Sequence, residues 1–276
     1  MKTLKTAFLL TALTLLLLFL GAAIGGARGM TLALVFAVLM NGTAYFFSDK
    51  IALMSSGAQP ISKEQAPRLY EVMERLAAKS NLPMPKMYLI PQAAPNAFAT
   101  GRNPSHASVA VTQGLMELMD DEELEGVIAH ELSHVRNYDI LTSSIAATIA
   151  GAITWVARMG FWFGGNRERG GGLTGILMLI LAPFAALLLQ MGISRQREYQ
   201  ADASGARMVG HPYGLIRALE KLGAYNKRIP MDVPPTTSAL MIVQPLSAGQ
   251  IFSSLFSTHP PLADRIAQLR AMTVTR

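Results

Sequence analysis

Long uncharged apolar runs limit what this chain can become. From Thr6 to Ala27, and past Arg28 from Gly29 to Ser48, no charged residue occurs, and two more such runs follow at Ile140 to Ala157 and Gly170 to Ser194. Each is about 20 residues, enough for a helix rising 1.5 Å per residue to cross a hydrocarbon core of about 30 Å. The first pair reads as a transmembrane hairpin turning at Gly25, Gly26, Ala27, Arg28 and Gly29, and the second as another, turning through Gly164 to Arg169. A composition 51% hydrophobic and only 15% charged agrees with a membrane protein. A cleaved signal peptide is the competing account of the first run, with its basic start and small residues at Gly21 to Ala23. For the second pair the competing account is a hairpin packed on the soluble part or only partly inserted, because Arg158 shortens the third run.

Between the two pairs lies His130, Glu131, Leu132, Ser133, His134, an H-E-x-x-H. Asp120 with Glu123 three residues on makes a capping-box start, and Leu124, Val127, Ile128 and Val135 recur at helical spacing. On such a helix residues four apart stack, so both imidazoles can point at one ion, a zinc site in outline. Glu131 stands roughly 100° around the axis from His130, beside the metal, where a carboxylate can take a proton from an activated water. The chain has no cysteine, so zinc must be held by histidine and carboxylate.

Around this helix the sequence alternates amphipathic helices with short strands. Leu69, Val72, Met73 and Leu76 mark a helix with Pro67 early, Met87 to Ile90 a strand, and Val109 and Val111 another beside the stretch Asn96 to Thr100. A small sheet flanking the metal helix has a use in a protease, since an exposed strand edge binds an extended peptide through its backbone. Asn96, Ala97 and Phe98 are the substrate-binding candidates, with Phe98 as a plain core aromatic the alternative. Leu215, Ile216, Leu219 and Leu222 mark a further helix; the proline-rich segment Arg228 to Ser257 reads as an irregular covering loop; Leu262, Ile266, Leu269 and Met272 close the chain as a helix.

If the third run leaves the catalytic side and the fourth returns to it, residues before Ile140 and after Ser194 meet at one membrane face. There Arg195 to Asp202 puts Glu198 and Asp202 four apart on one helical face. A catalytic zinc commonly keeps three protein ligands and an open position, and His130, His134 and Glu198 supply that set. Asp202 then takes the N–H of a ligating imidazole and fixes its tautomer. The fold class expected is a mainly α integral membrane protein: about four transmembrane helices and an α+β zincin-like (gluzincin) catalytic domain with a small β-sheet. Its expected parts are an N-terminal hairpin (1–50), a first catalytic segment (51–139), a second hydrophobic hairpin (140–194) and a second catalytic segment (195–276). The net charge of +6 suits a protein lying against anionic lipid heads, though topology and solubility are the favoured account of it; with no basic-aromatic motif, nucleic acid is not an expected partner.

With N-A-F-A at Asn96 to Ala99, H-E-L-S-H at His130 to His134, S-R-Q-R-E-Y-Q-A-D at Ser194 to Asp202 and T-H-P-P at Thr258 to Pro261, the chain resembles the heat-shock membrane proteases of the HtpX family and, more distantly, the CaaX prenyl endopeptidases. That resemblance implies an integral metalloendopeptidase of the bacterial inner membrane, with one Zn2+ per chain and its catalytic domain facing the cytoplasm. Its implied substrates are misfolded or damaged membrane proteins, in quality control and stress response. It also suggests His259 as stabiliser of the oxyanion, against a loop histidine ordered by the two prolines. Charge bias supports the orientation only slightly, since Arg28, Arg167 and Arg169 fall on the far side if Lys2, Lys5, Arg195 and Arg197 are inside. A prenyl-peptide processor and a non-enzymatic zinc scaffold are the rival readings; a structural site would hold four protein ligands, whereas three are found.

Overall fold

A computed structural model describes residues 4–150, 194–226, 240–243 and 260–272. Helix α1 (Leu4–Ser55) is two helices joined at Gly26, whose backbone (φ 58, ψ −142) is a conformation that glycine enters without a Cβ clash. The halves lie antiparallel. A Cβ on Gly29 would fall 2.1 Å from the Gly21 carbonyl oxygen, and Asn41 Nδ2 donates to Thr14 Oγ1 at 2.9 Å. Small residues at the crossing and a side-chain hydrogen bond between helices are how segments associate in lipid, where burial of apolar surface gives no drive. Both halves are long and apolar enough to cross a membrane, at Thr6–Ala23 and Gly25–Ser55. Phe8, Leu15, Phe19, Leu32, Val38 and Leu39 project outward, with nothing over them among the described residues.

The strands are β1 (Gln59–Pro60), β2 (Lys86–Ile90), β3 (Ala97–Gly101) and β4 (Ala107–Thr112), in the order β1-β2-β4-β3. β2 and β4 are parallel, joined through the β3 excursion, and β3 pairs antiparallel with β4 in the register Phe98↔Ala110. β3 is therefore an edge. Helix α2 (Pro67–Lys79) starts with Pro67 in its first turn, where the missing N–H costs nothing, and turns Leu69, Val72, Met73 and Leu76 inward. A short helix α3 (Gln113–Leu118) follows β4, its Thr112 side chain accepting from Leu115 N.

Helix α4 (Asp121–Asn137) carries the H-E-x-x-H. Asp120 caps it through Glu123 N while the Glu123 side chain accepts from Asp120 N, and Tyr138 ends it in the left-handed region (φ 63). Next come α5 (Asp139–Ala150), α6 (Arg195–Val209), α7 (Tyr213–Asn226) and α8 (Leu262–Ala271). One hydrophobic cluster joins α2, β4 and α4 with Met208, Leu219 and Leu269 of the late helices. α4 and α7 touch almost backbone to backbone, because a Cβ on Gly126 would lie 2.5 Å from Leu215 N.

The third apolar run starts as α5, in which no residue from Ile140 to Ala150 is exposed. Leu141, Ile145 and Ile149 pack with Leu13 and Ala44 of α1. Thr142 shares a 2.9 Å hydrogen bond with Thr6, and Ser144 one of 2.7 Å with Thr100 of β3. The rest of that run, the polar turn and the fourth run up to residue 193 lie outside the described residues, as does His259.

Candidate metal centre

Helices α4 and α6 cross so that residues 68 positions apart converge. The Nε2 atoms of His130 and His134 are 3.2 Å apart. Glu198 Oε2 is 3.8 Å from His130 Nε2, and Glu198 Oε1 is 3.5 Å from His134 Nε2. A tetrahedral ion with bonds of 2.0–2.1 Å needs donor atoms about 3.3–3.4 Å apart, so this triangle suits zinc with small adjustments of side-chain torsion. The approach of the helices is set by Gly205, where a Cβ would come 3.0 Å from His130 N. Glu198, Asp202 and Gly205 share one face of α6, turned toward α4.

Each imidazole is oriented from behind by a carboxylate, and each carboxylate is met by an arginine. His130 Nδ1 lies 2.8 Å from Asp202 Oδ1, and Arg265 of α8 grips both oxygens of Asp202, at 2.6 and 2.8 Å. His134 Nδ1 lies 3.3 Å from Asp139 Oδ2, and Arg197 Nη1 lies 3.4 Å from Asp139 Oδ1. With Nδ1–H donated backward, each ring keeps its Nε2 lone pair for a metal. Sequence reasoning reached Asp202 but missed Asp139, Arg197 and Arg265. A signal existed for Arg265: it occupies the apolar stripe of its helix between Leu262 and Leu269, where a charge must find a partner.

The field here favours a cation. Burial penalises a charged His134, yet the Asp139 hydrogen bond and the carboxylates of Glu198 and Glu131 overcome that and hold its pKa up at about 9. Burial would likewise raise Asp202, but Arg265 and His130 pull it down to about 2, so it stays ionised. Glu131, wholly buried, goes the other way: desolvation raises its pKa against the two histidines, the shift a proton-accepting carboxylate needs. Its carboxylate also takes a backbone hydrogen bond from Ala99, which ties it to β3.

The strand edge expected to take substrate is in part already occupied. Ala97 O accepts from Ile242 N at 2.9 Å, and the Asn96 side chain donates to Val243 O at 2.8 Å. Leu240 to Val243, part of the expected covering loop, is thus laid on β3, with Arg265 Nη1 donating to Ile242 O. Phe98 is fully buried among Ala52, Leu53, Ile90, Ala110 and Met241, so its side chain is core and faces no cleft. All of β3 is buried, so the exposed strand edge expected from the sequence is covered; Ala99, bonded to Glu131, is where this strand meets the His-His-Glu triad.

Residues 63–273 match the model of peptidase family M48. "Protease HtpX homolog" of Desulfatibacillum aliphaticivorans is 56% identical over 273 residues, covering 96% of this chain and 88% of its own, and the homolog of Thermodesulfovibrio yellowstonii is 52% identical over 279 residues, covering 99% of each. The fold is shared with the crystal structure of S. mikatae Ste24p at a TM-score of 0.54 and 21% identity, across 97% of this chain and 64% of that one. A His-His-Glu triad, buried at His130 and Glu198 and half-buried at His134, beside a buried glutamate is thus set in a sequence whose relatives are proteases, and the chain belongs to peptidase family M48 as a metalloprotease of the HtpX type.

Proposed function

We propose that the chain is a zinc-dependent endopeptidase of the bacterial inner membrane that cuts misfolded or damaged membrane proteins from the cytoplasmic side. The convergence of His130, His134 and Glu198 carries this reading. Zinc, when bound there, supplies Lewis acidity that makes water acidic near neutral pH and polarises a peptide carbonyl. The remaining work belongs to the protein. Glu131 takes the proton from the attacking water and returns it to the departing amine, helped by the raised proton affinity that its burial confers. Asp202 and Asp139 hold the two imidazoles in one tautomer and orientation. The substrate backbone runs along β3 near Ala99, and His259 stabilises the oxyanion.

Two outward-facing apolar helices support the membrane placement, and a membrane-anchored site lying next to the bilayer meets polypeptides that emerge from it. The test uses the full chain in mild detergent with an unfolded protein as substrate. Cleavage should vanish on chelation and return with zinc, while Glu131→Gln retains zinc and loses turnover. Turnover preserved in Glu131→Gln would remove the mechanism.

A further inference from the structure

Where the second half of α1 leaves the bilayer, its end and one end of the sheet enclose a cationic cavity of about 550 Å³ that the peptidase chemistry does not use. Lys50, Lys86 and Arg102 line it, together with Phe46 and Phe47 and one carboxylate, Asp49. The sheet fixes this geometry. In the parallel pair Lys86 sits opposite Ser108, and in the antiparallel pair Gly101 sits opposite Ala107, so the residues flanking those positions gather at one sheet end. Ala52 and Leu53, just beyond Lys50, are packed into the core against that sheet, so the helix end cannot swing away.

Depth follows from length. The stretch Gly25–Ser55 is 31 residues, about 46 Å as helix, against a hydrocarbon thickness of about 30 Å. About 20 residues counted from the Gly26 turn reach Phe46, so Phe46 and Phe47 lie where hydrocarbon ends. The headgroup layer adds roughly 5–7 Å on each side, about four residues of helix, which places Lys50 at phosphate level. Lys50 Nζ stands over the Phe47 ring, 5.4 Å from its centroid. Among the described residues, Lys50, Lys86 and Arg102 form no ion pair, so three cations face one carboxylate at the depth of the lipid phosphates.

We propose that this cavity is a binding site for the phosphate of an anionic phospholipid headgroup, with Lys50, Lys86 and Arg102 as its ligands and Phe46 and Phe47 beside the acyl chains. The site rests on the membrane placement of α1 and is independent of the metal centre. An anionic lipid held here would fix the tilt and height of the catalytic part above the bilayer, because the same sheet carries β3.

The full chain in a non-ionic detergent is titrated calorimetrically with a short-chain phosphatidylglycerol, with the matching phosphatidylcholine and with inorganic phosphate. Phosphatidylglycerol should bind at one site at least about 10-fold more tightly than either other probe, and K50Q/K86Q/R102Q should lose at least about 10-fold. Equal binding of the two lipids, or an unchanged affinity in the triple variant, overturns the site; inorganic phosphate binding as tightly as the lipid overturns the headgroup as its source. Should the triple variant not fold, Lys50→Gln alone and the lipid preference of the wild-type chain still decide. Alkaline extraction of membranes separates the two failures: a chain that washes off refutes the membrane placement, whereas an embedded chain without lipid preference refutes the cavity alone.

Discussion

Arg265 holds Asp202 with two hydrogen bonds, Nη2 to Oδ1 at 2.6 Å and Nε to Oδ2 at 2.8 Å, while the same Oδ1 faces His130 Nδ1 at 2.8 Å. The guanidinium is completely buried and also donates to Ile242 O. One side chain therefore fastens α8 and the Leu240 to Val243 segment to the back of the α4–α6 crossing. Its own proton is bound more firmly than usual: burial opposes its charge, but Asp202 raises its pKa.

Removing that guanidinium leaves Asp202 ionised, buried and half-satisfied. Arg265→Met should lower unfolding stability by about 3–5 kcal/mol, the range for breaking one partner of a buried ion pair, in denaturant titrations of the detergent-solubilised chain. Arg265→Lys keeps the charge but not the two-pronged fork, so a loss intermediate between wild type and Met is expected. A Met variant as stable as wild type would mean the pair contributes nothing.

The two carboxylates behind the imidazoles are not equivalent. The Asp202 side chain is 4% exposed and 2.8 Å from its histidine, whereas that of Asp139 is 14% exposed and 3.3 Å away. Asp202→Asn should weaken zinc affinity by about 10–100-fold, and Asp139→Asn by less, in competition with a chromophoric chelator. The reverse order would show that distance and burial do not rank these supports.

Glu198 contributes the only carboxylate of the triad, so Glu198→Ala should release zinc at chelator concentrations the wild type survives. Zinc held by the wild type also stabilises it: a free metal concentration 100 times the dissociation constant adds about 2.7 kcal/mol. Apo and zinc-loaded wild type should therefore differ in thermal midpoint while Glu198→Ala shows no such gap. Equal metal content in Glu198→Ala and wild type would assign the third ligand elsewhere.

Much of this architecture is legible in the chain because it is written in local signals. Asp120 and Glu123 announce the start of α4, Pro67 the start of α2, and the apolar spacing gives the faces of α2, α7 and α8. Glu198 and Asp202 were reachable because a fixed spacing and a hairpin argument put them beside the histidines. What stayed hidden depends on contacts between distant segments. The strand order β1-β2-β4-β3, the coupling of Ser144 to Thr100, and the seat of Ile242 on Ala97 leave no periodic trace in the sequence. For Phe98 the two readings were open, and only packing against Ala52 and Leu53 places it in the core.

Gly205 gives a sharper test of how the triad is assembled. A Cβ at this position meets the backbone of the metal helix, 3.0 Å from His130 N and 3.1 Å from Ala129 C, and backbone cannot rotate aside as a flexible side chain can. In Gly205→Ala, α6 must therefore withdraw from α4 by a few tenths of an ångström, and Glu198, two turns earlier on the same face, withdraws with it. The overpacking costs about 1–3 kcal/mol, partly offset by the better helix propensity of alanine, roughly 1 kcal/mol. A small change in unfolding midpoint is then expected alongside a larger drop in zinc affinity, and Gly205→Val should magnify both. If Gly205→Ala binds zinc as wild type does, the close approach at this crossing does not set the reach of Glu198.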